Sequence, residues 1–199
     1  NPVGQWFWLT GGTALAAFYF QHRLSTDVDL FTLDGTVLTA VAQPLDDIAA
    51  KLGCTLTWRR LSTHFVQAVL RRKDASLKID LVQDVGPQFG QKQTSDGITV
   101  DALDNIAANK VTAILGRADI KDFIDFYFLI QMGYSPKELI ARAKQKDAGL
   151  MEFFLAHMMR RVADVTTLPP MLKPLSLKTL QSFYLGLADD LLKEFPTPE

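Results

Sequence analysis

The sequence has few of the features that would place a protein outside the cell or in a membrane. Of its 199 residues only Cys54 is a cysteine, so no disulfide can form within the chain, as is usual in a reducing compartment. No apolar run approaches the roughly 20 residues that span a bilayer. Residues 1–4 lack the basic start and apolar core of a signal peptide. We therefore expect a cytoplasmic protein that does not associate with membranes.

A strong charge of either sign is also absent. The formal net charge is −1, so the protein as a whole has no electrostatic attraction to nucleic acid. Contact with RNA would need a local basic patch. Hydrophobic residues make up 48% of the chain, which is sufficient for a packed globular core.

Two common phosphate-transfer motifs are missing. A Walker A loop requires Gly-Lys-Ser/Thr after its glycines, whereas Gly12 is followed by Thr-Ala. Protein kinases carry His-Arg-Asp and Asp-Phe-Gly. Here His22-Arg23 is followed by leucine, and Asp-Phe-Gly does not occur. The sequence thus excludes both classes.

A pair of glycines follows the short apolar run 6–9, which predicts a strand. Gly11 and Gly12 permit a sharp turn and a close approach of the backbone to a ligand. Residues 14–20 have the composition of a helix entered through Thr13. The free amides and the dipole at the start of such a helix favour an anion. We expect a phosphate-binding turn here.

Carboxylates on two predicted strands follow this turn. The segment starting at Asp27 alternates as a strand does, so Asp27 and Asp29 share one face, and such a pair is stabilised by a divalent cation. Asp80, in a later predicted strand, would complete the metal site or act as general base on an attacking hydroxyl. Lys78 shares the face of Asp80 and is either a phosphate contact or an ion-pair partner. The pattern indicates metal-assisted phosphoryl or nucleotidyl transfer.

The remaining patterns predict an α+β fold. A small mixed or antiparallel sheet with flanking helices is expected over residues 1–100, and a helical region over 101–199. Pro44 is expected to kink or divide the predicted helix 37–52. Beyond it, the patterns predict strands at 54–60, 64–72, 77–83 and 98–100, a loop at 87–97, and helices at 101–115, 117–129, 136–146, 150–165 and 176–195.

The stretch GGTAL, followed by HRLSTDVDLF from His22 to Phe31, resembles the first motif of nucleotidyltransferases with a DNA polymerase β-type fold. It is similar in particular to the AbiEii/AbiGii branch, which comprises toxins of bacterial toxin–antitoxin and abortive-infection systems. The resemblance covers residues 9 to about 129. It implies a polymerase β-type core, adds Ser25 to the nucleotide-binding residues, and implies further sequence upstream of residue 1.

A second stretch extends the resemblance. On its pattern alone, Lys110 is either a lysine at the edge of the core or one aimed at a triphosphate. The family carries a functional lysine in this helix, which favours the second interpretation. The segment from Arg117 to Tyr127 is similar to the family's arginine, basic-Asp and later Asp pattern. It implies Arg117 or Lys121 as phosphate contacts and Asp122 as a catalytic or lysine-orienting acid, with the choice between Asp122 and Asp125 open.

Together these features predict an Mg²⁺- or Mn²⁺-dependent nucleotidyltransferase that transfers NMP from an NTP to an acceptor hydroxyl. The resemblance implies a toxin that modifies tRNA or a protein and is countered by a cognate antitoxin. A polyanionic acceptor is favoured by the basic residues of two predicted strands and their turn, which are Arg59, Arg60, Arg71, Arg72 and Lys73. A non-catalytic nucleotide- or RNA-binding module and a small-molecule acceptor remain alternatives. The predicted phosphate contacts are Gly11, Gly12 and Thr13, the predicted metal ligands Asp27, Asp29 and Asp80, and the predicted charge-neutralising residue Lys110.

Overall fold

A computed structural model describes residues 4–195. The expectation that residues 1–4 lack a signal peptide therefore falls mostly outside the described part. The chain divides into two compact units. One unit takes residues up to 14, 25–85 and 91–102, and the other takes 15–24, 86–90 and the residues from 103 onward. The sequence-based division into residues 1–100 and 101–199 differs from this assignment. It places residues 15–24 in the first part of the chain, whereas they belong to the second unit.

The first unit contains a seven-stranded sheet with the order β3-β4-β5-β2-β1-β7-β6. β2 pairs parallel with β5, and β1 pairs parallel with β7, while the other neighbours are antiparallel, so the sheet is mixed as predicted. The strands are β1 (Trp8–Thr10), β2 (Asp27–Thr32), β3 (Thr55–Leu61), β4 (Phe65–Arg72), β5 (Ala75–Gln83), β6 (Gln93–Ser95) and β7 (Ile98–Val100).

The first unit contains the helices α1 (Gly11–Ala14), α2 (Thr36–Ala40) and α3 (Ala42–Lys51). The predicted helix 37–52 is divided at Val41, and Pro44 lies in the first turn of α3, where its missing N–H is not needed by the helix. Side chains of α2 and α3 pack with alternate residues of β4 and β5. This core includes Leu38, Val41, Leu45, Val66, Leu70, Ile79 and Leu81.

Two local predictions were wrong. The helix after β1 begins at Gly11 rather than Thr13, because the first glycine adopts a left-handed φ of 65° that turns the chain directly into the helix. After Ala14 the helix widens into a π-helical segment, Leu15–Phe20. The predicted loop 87–97 contains β6, an exposed polar strand held by its pairing with β7.

The second unit is helical, as predicted. Asp119, Ser135 and Ser176 cap the N-termini of three of its helices with their side-chain oxygens. Of the helices within residues 4–195, none has the length and apolar character needed to cross a lipid bilayer. The helices are α4 (Leu103–Arg117), α5 (Ile120–Gln131), α6 (Pro136–Lys146), α7 (Glu152–Arg160), continued by a 3-10 turn (Arg161–Asp164), and α8 (Leu177–Glu194).

Candidate active site

The glycine turn lies directly against one of the predicted metal ligands. A Cβ atom at Gly11 would lie 2.5 Å from Asp29 Oδ2, and φ at this residue is 65°. Both the backbone conformation and the contact therefore require glycine. Gly12, the second predicted phosphate contact, is buried within α1. The close approach of Gly11 to Asp29 brings the start of α1 and a carboxylate to the same place in the first unit.

Two hydroxyl groups join α1 to the start of β2. Thr13 Oγ1 donates to the backbone carbonyl of Asp27. Because this bond uses the threonine proton, Ser25 Oγ donates to Thr13 Oγ1 across 2.7 Å. Thr13 and Ser25 thus fix the chain that carries Asp27, and their predicted contacts with a nucleotide stay predictions.

The predicted carboxylates lie on neighbouring strands in the expected orientation. Asp29 on β2 is directly opposite Asp80 on β5, and Asp80 is opposite Gln67 on β4. Cross-strand partners point to the same face of a sheet. Gln67 Nε2 donates to Asp80 Oδ1 across 2.9 Å and so orients this carboxylate. Sequence reasoning did not find Gln67, because its role depends on the pairing of β4 with β5.

A lysine lies between two of the carboxylates. Lys78 Nζ is 3.1 Å from Asp80 Oδ2 and 3.5 Å from Asp27 Oδ2. Burial lowers the pKa of Lys78, but its hydrogen bond and attraction to Asp80, and the attraction of Asp27 and Asp29, outweigh this effect and raise the pKa above its ordinary value. Of the two roles that the sequence left open for Lys78, the structure shows the ion pair.

The oxygen ligands needed for Mg²⁺ are present on this face. Mg²⁺ is usually held by one or two carboxylates together with substrate phosphates, and the paired register of Asp29 and Asp80 offers such carboxylates beside the glycine turn. Within residues 4–195, no three or more His, Cys, Asp or Glu side chains are grouped closely enough to hold a metal ion by themselves. Asp29 and Asp80 thus supply carboxylate oxygens of the kind that hold Mg²⁺ together with substrate phosphates.

The second unit contains a buried ion network around the predicted lysine. Lys110 Nζ lies 2.9 Å from Asp122 Oδ1 and 2.8 Å from Asp125 Oδ2, and the lysine is only 5% exposed. Burial lowers the pKa of Lys110, but both carboxylates outweigh burial and raise it. Lys110 therefore provides the counter-charge of two buried acids, and its predicted action on a phosphate stays a prediction. Both Asp122 and Asp125 contact Lys110, and the choice between them as the functional acid stays a prediction.

Arginines complete this network on either side. Arg117 Nε lies 2.6 Å from Asp122 Oδ2, and Arg23 holds both oxygens of Asp125 at 2.8 Å. His22 Nε2 is 2.7 Å from Asp125 Oδ1. Burial would raise the pKa of Asp125, but Lys110, His22 and Arg23 together hold it well below its usual range.

The sequence assigned no role in this network to His22 or Arg23. The signal that could have found them is the apolar surroundings of Asp125, since a carboxylate within Phe-Ile-Asp-Phe must be buried with cationic partners. Arg117 has a 65% exposed side chain, and Lys121 follows the helix cap Asp119, to which its backbone N–H donates. Their proposed contacts with phosphate are untested by this geometry.

The basic residues predicted to favour a polyanionic acceptor form two groups rather than one cluster. Arg60 pairs with Gln67, whereas Arg71 pairs with Thr55, roughly 16 Å away along β3 at the usual rise per residue. The two groups are separate because Arg60 and Arg71 lie near opposite ends of the β3–β4 hairpin. A bulge between Trp58 and Arg60 brings Arg60 into register with Gln67. Arg60 therefore lies on the carboxylate face.

Comparison with protein families gives a match over almost the entire chain. The model described as "Nucleotidyl transferase AbiEii toxin, Type IV TA system" matches residues 2–197. An uncharacterized protein of Aquifex aeolicus (strain VF5) is 29% identical over 145 residues, which is 70% of this chain and 66% of that protein. The match thus spans slightly less than two thirds of the curated relative.

Solved structures share the fold at low sequence identity. A putative nucleotidyltransferase from H. pylori has a TM-score of 0.58 and 18% identity, covering 95% of this chain and 87% of the other. MenT4, a nucleotidyltransferase toxin from Mycobacterium tuberculosis H37Rv, has a TM-score of 0.55 and 14% identity, covering 96% and 76%. The α+β architecture is therefore one that known nucleotidyltransferases also have.

The contact between Gly11 and Asp29 can be tested by substitution to alanine. Gly53 serves as the matched control, because its φ of 62° is nearly the same but an added Cβ would meet nothing within 4 Å. We expect Gly53→Ala to lower the free energy of unfolding by about 1–2 kcal/mol through backbone strain alone. Gly11→Ala should lose at least about 1 kcal/mol more, because the Asp29 side chain must move. Urea denaturation measures both. Equal losses would contradict the contact.

The buried network makes Asp125 important for stability. We expect Asp125→Asn to lower the free energy of unfolding at pH 7 by about 3–5 kcal/mol, because Arg23 and Lys110 would keep buried charges without their common partner. Asp189→Asn, which removes an exposed pair with Arg160, should cost less than about 1 kcal/mol. Urea denaturation again gives the comparison.

The same variant should show a defined pH dependence. Folding lowers the pKa of Asp125, so its ionised form stabilises the protein above the unfolded value of about 3.9, and this contribution is lost as the pH falls toward the folded value. The difference in stability between wild type and Asp125→Asn should therefore be constant from pH 7 to 5 and shrink below about pH 4. A difference that grows on acidification would be incompatible with this ion network.

Proposed function

This chain belongs to the AbiEii family of nucleotidyltransferases, and we propose that it transfers a nucleoside monophosphate from an NTP to an acceptor hydroxyl as the toxin of a toxin–antitoxin pair. The observation that carries the proposal is the carboxylate face of the first unit. Asp29 and Asp80 are paired across two parallel strands, and the start of α1 closely approaches Asp29 at Gly11. Oxygen ligands for a cation and a helix N-terminus for an anion therefore occur together.

In this proposal the candidate ligands of Mg²⁺ or Mn²⁺ are Asp27, Asp29 and Asp80. A divalent ion held by these residues would neutralise charge on the phosphates and on the attacking and leaving oxygens. The backbone at Gly11, Gly12 and Thr13 binds the NTP phosphates, helped by the positive end of the helix. Thr13 and Ser25 keep Asp27 in position through their hydrogen bonds to each other and to its backbone carbonyl.

The reaction is a displacement at the α-phosphorus. The acceptor oxygen forms a bond to this phosphorus, the bond from phosphorus to the pyrophosphate oxygen breaks, and pyrophosphate leaves. The acceptor's proton passes to a base, for which Asp80 is the candidate, since Gln67 orients it and it lies opposite Asp29. The protein contributes through positioning and electrostatics, without a covalent intermediate on the enzyme.

The position of Arg60 favours a polyanionic acceptor such as tRNA. Arg60 lies in the same cross-strand row as Gln67, Asp80 and Asp29, three strands from Asp29, which corresponds to roughly 14 Å at the usual strand spacing. Its guanidinium lies 5.3 Å from the ring centre of Phe65. A cognate antitoxin and a cytoplasmic location are further parts of the proposal, and the toxin–antitoxin description of the family model supports the first of them. A protein acceptor is the alternative to tRNA.

A label-transfer assay tests the activity. Wild type, Asp29→Asn and Asp46→Asn are incubated with Mg²⁺, each α-³²P-labelled NTP and total cellular RNA and protein. Asp46 is an exposed acid on α3, away from the carboxylate row, and is the matched control. We expect wild type and Asp46→Asn to label one macromolecule equally, and Asp29→Asn to lose at least about a hundredfold in rate.

Circular dichroism should show that all three proteins are folded. Full transfer by folded Asp29→Asn would reject the mechanism. Binding of NTP by folded wild type without any labelled macromolecule would instead favour a non-catalytic binding module or a small-molecule acceptor.

The acceptor class can be tested separately by salt dependence. Fluorescence anisotropy measures the binding of labelled total tRNA to wild type, Arg60→Gln and Arg72→Gln between 50 and 200 mM salt. Arg72 pairs with Ala75 at the β4–β5 turn and has the opposite strand parity from Gln67, so it is the control. We expect a steep fall in affinity with salt and a slope smaller by about 1 for Arg60→Gln. Binding that does not respond to salt would argue against a polyanionic acceptor.

A further inference from the structure

We propose that the Lys78 ammonium competes with the divalent cation: it holds Asp27 and Asp80 when no ion is bound, and it leaves them when an ion binds. This inference rests on the proposed function, because it assumes that the carboxylate face binds a cation. Its observation is the pair of contacts from Lys78 Nζ, at 3.1 Å to Asp80 Oδ2 and 3.5 Å to Asp27 Oδ2.

The contacts of Lys78 involve oxygens that the cation also needs. Each carboxylate that binds an ion must direct an oxygen lone pair toward it, and the ammonium lies next to one oxygen of Asp80 and one of Asp27. A divalent cation at these oxygens would repel the ammonium at short range. The two positive groups therefore cannot both keep their full contacts.

Lys78 is also able to leave. Its side chain is 38% exposed, so the ammonium can regain water when it gives up its partners. Lysine carries its charge on a flexible four-carbon stem and does not require a fixed bidentate geometry. Lys110 differs in this respect, because its side chain is only 7% exposed and it is held by two fully buried carboxylates.

The neighbouring groups explain why a cation is needed there at all. Asp27, Asp29 and Asp80 repel one another across β2 and β5, and the side chains of Asp27 and Asp80 are 28% and 12% exposed, so water screens this repulsion only partly. The lysine relieves the repulsion in the free protein. The cost is a weaker affinity for the divalent ion than the carboxylates alone would have.

The test is a titration with Mn²⁺, in which electron paramagnetic resonance measures the free ion, on wild type, Lys78→Met and Lys78→Arg. Methionine keeps a flexible apolar stem without charge, and arginine keeps the charge. We expect Lys78→Met to bind Mn²⁺ on the order of tenfold more tightly than wild type at moderate ionic strength, and Lys78→Arg to stay within about threefold of wild type. Equal or weaker binding by folded Lys78→Met would overturn the inference.

Thermal denaturation provides a second readout. Without a divalent ion, Lys78→Met should melt at a lower temperature than wild type, because the carboxylates lose their counter-charge. Saturating Mn²⁺ should raise its melting temperature more than that of wild type. If Lys78→Met does not fold without metal, Lys78→Gln replaces it in both experiments. The competition would then be contradicted if Lys78→Gln bound Mn²⁺ no more tightly than wild type, or if Mn²⁺ raised its melting temperature no more than that of wild type.

Asp29→Asn distinguishes failure of this inference from failure of the proposed function. If wild type and Asp29→Asn bind Mn²⁺ with the same affinity, the carboxylate face is not the metal site, and both proposals fall. If Asp29→Asn weakens binding but Lys78→Met does not strengthen it, the site stands and the competition by Lys78 is rejected.

Discussion

Electrostatic repulsion among three carboxylates on two neighbouring strands is the constraint on which the arrangement of the first unit depends. Asp29 and Asp80 are directly opposite each other, and Asp27 stands one strand repeat away on the same face. Such a group is tolerated only where a cation, a hydrogen-bond donor or water offsets the charge. Lys78 and Gln67 supply the first two, and the partial exposure of Asp27 supplies the third. Near the glycine turn, the hydrogen bonds of Thr13 and Ser25 then fix the position of Asp27 at the start of β2.

The second unit manages acidic residues in the opposite way. Asp122 and Asp125 are fully buried, and three cationic side chains, Arg23, Lys110 and Arg117, hold them at hydrogen-bond distances. Their counter-charges form part of the folded core, because both carboxylates and the adjacent Phe123 and Phe126 are fully buried. Lys78 in the first unit is partly exposed, which allows it to exchange its carboxylate partners for water. Lys110 in the second unit is buried and holds its two carboxylates rigidly.

The sequence predicted those features that depend on local patterns. The alternation after Asp27, the division of a helix near Pro44 and the helical character of the second unit follow from neighbouring residues, and the structure confirms them. Features that depend on pairing between distant segments escaped prediction. The contact of Gln67 with Asp80 and the bulge that aligns Arg60 require the register of β3, β4 and β5. β6 has no apolar alternation, so only its partner β7 identifies it as a strand.

The parallel pairing of β2 with β5 has a consequence for how the protein is made. Residues of one row, Thr10, Asp29, Asp80, Gln67 and Arg60, come from five strands, and the β2–β5 pair at its centre joins segments that are far apart along the chain. Long-range strand pairing forms slowly, because the intervening loops must close before the contacts are gained. On the ribosome, a nascent chain that has exposed only β1, α1 and β2 carries the glycine turn and two aspartates but not the strand that completes the row. The carboxylate face therefore exists only after β5 has been synthesised and has paired, so assembly of the site coincides with folding of the sheet.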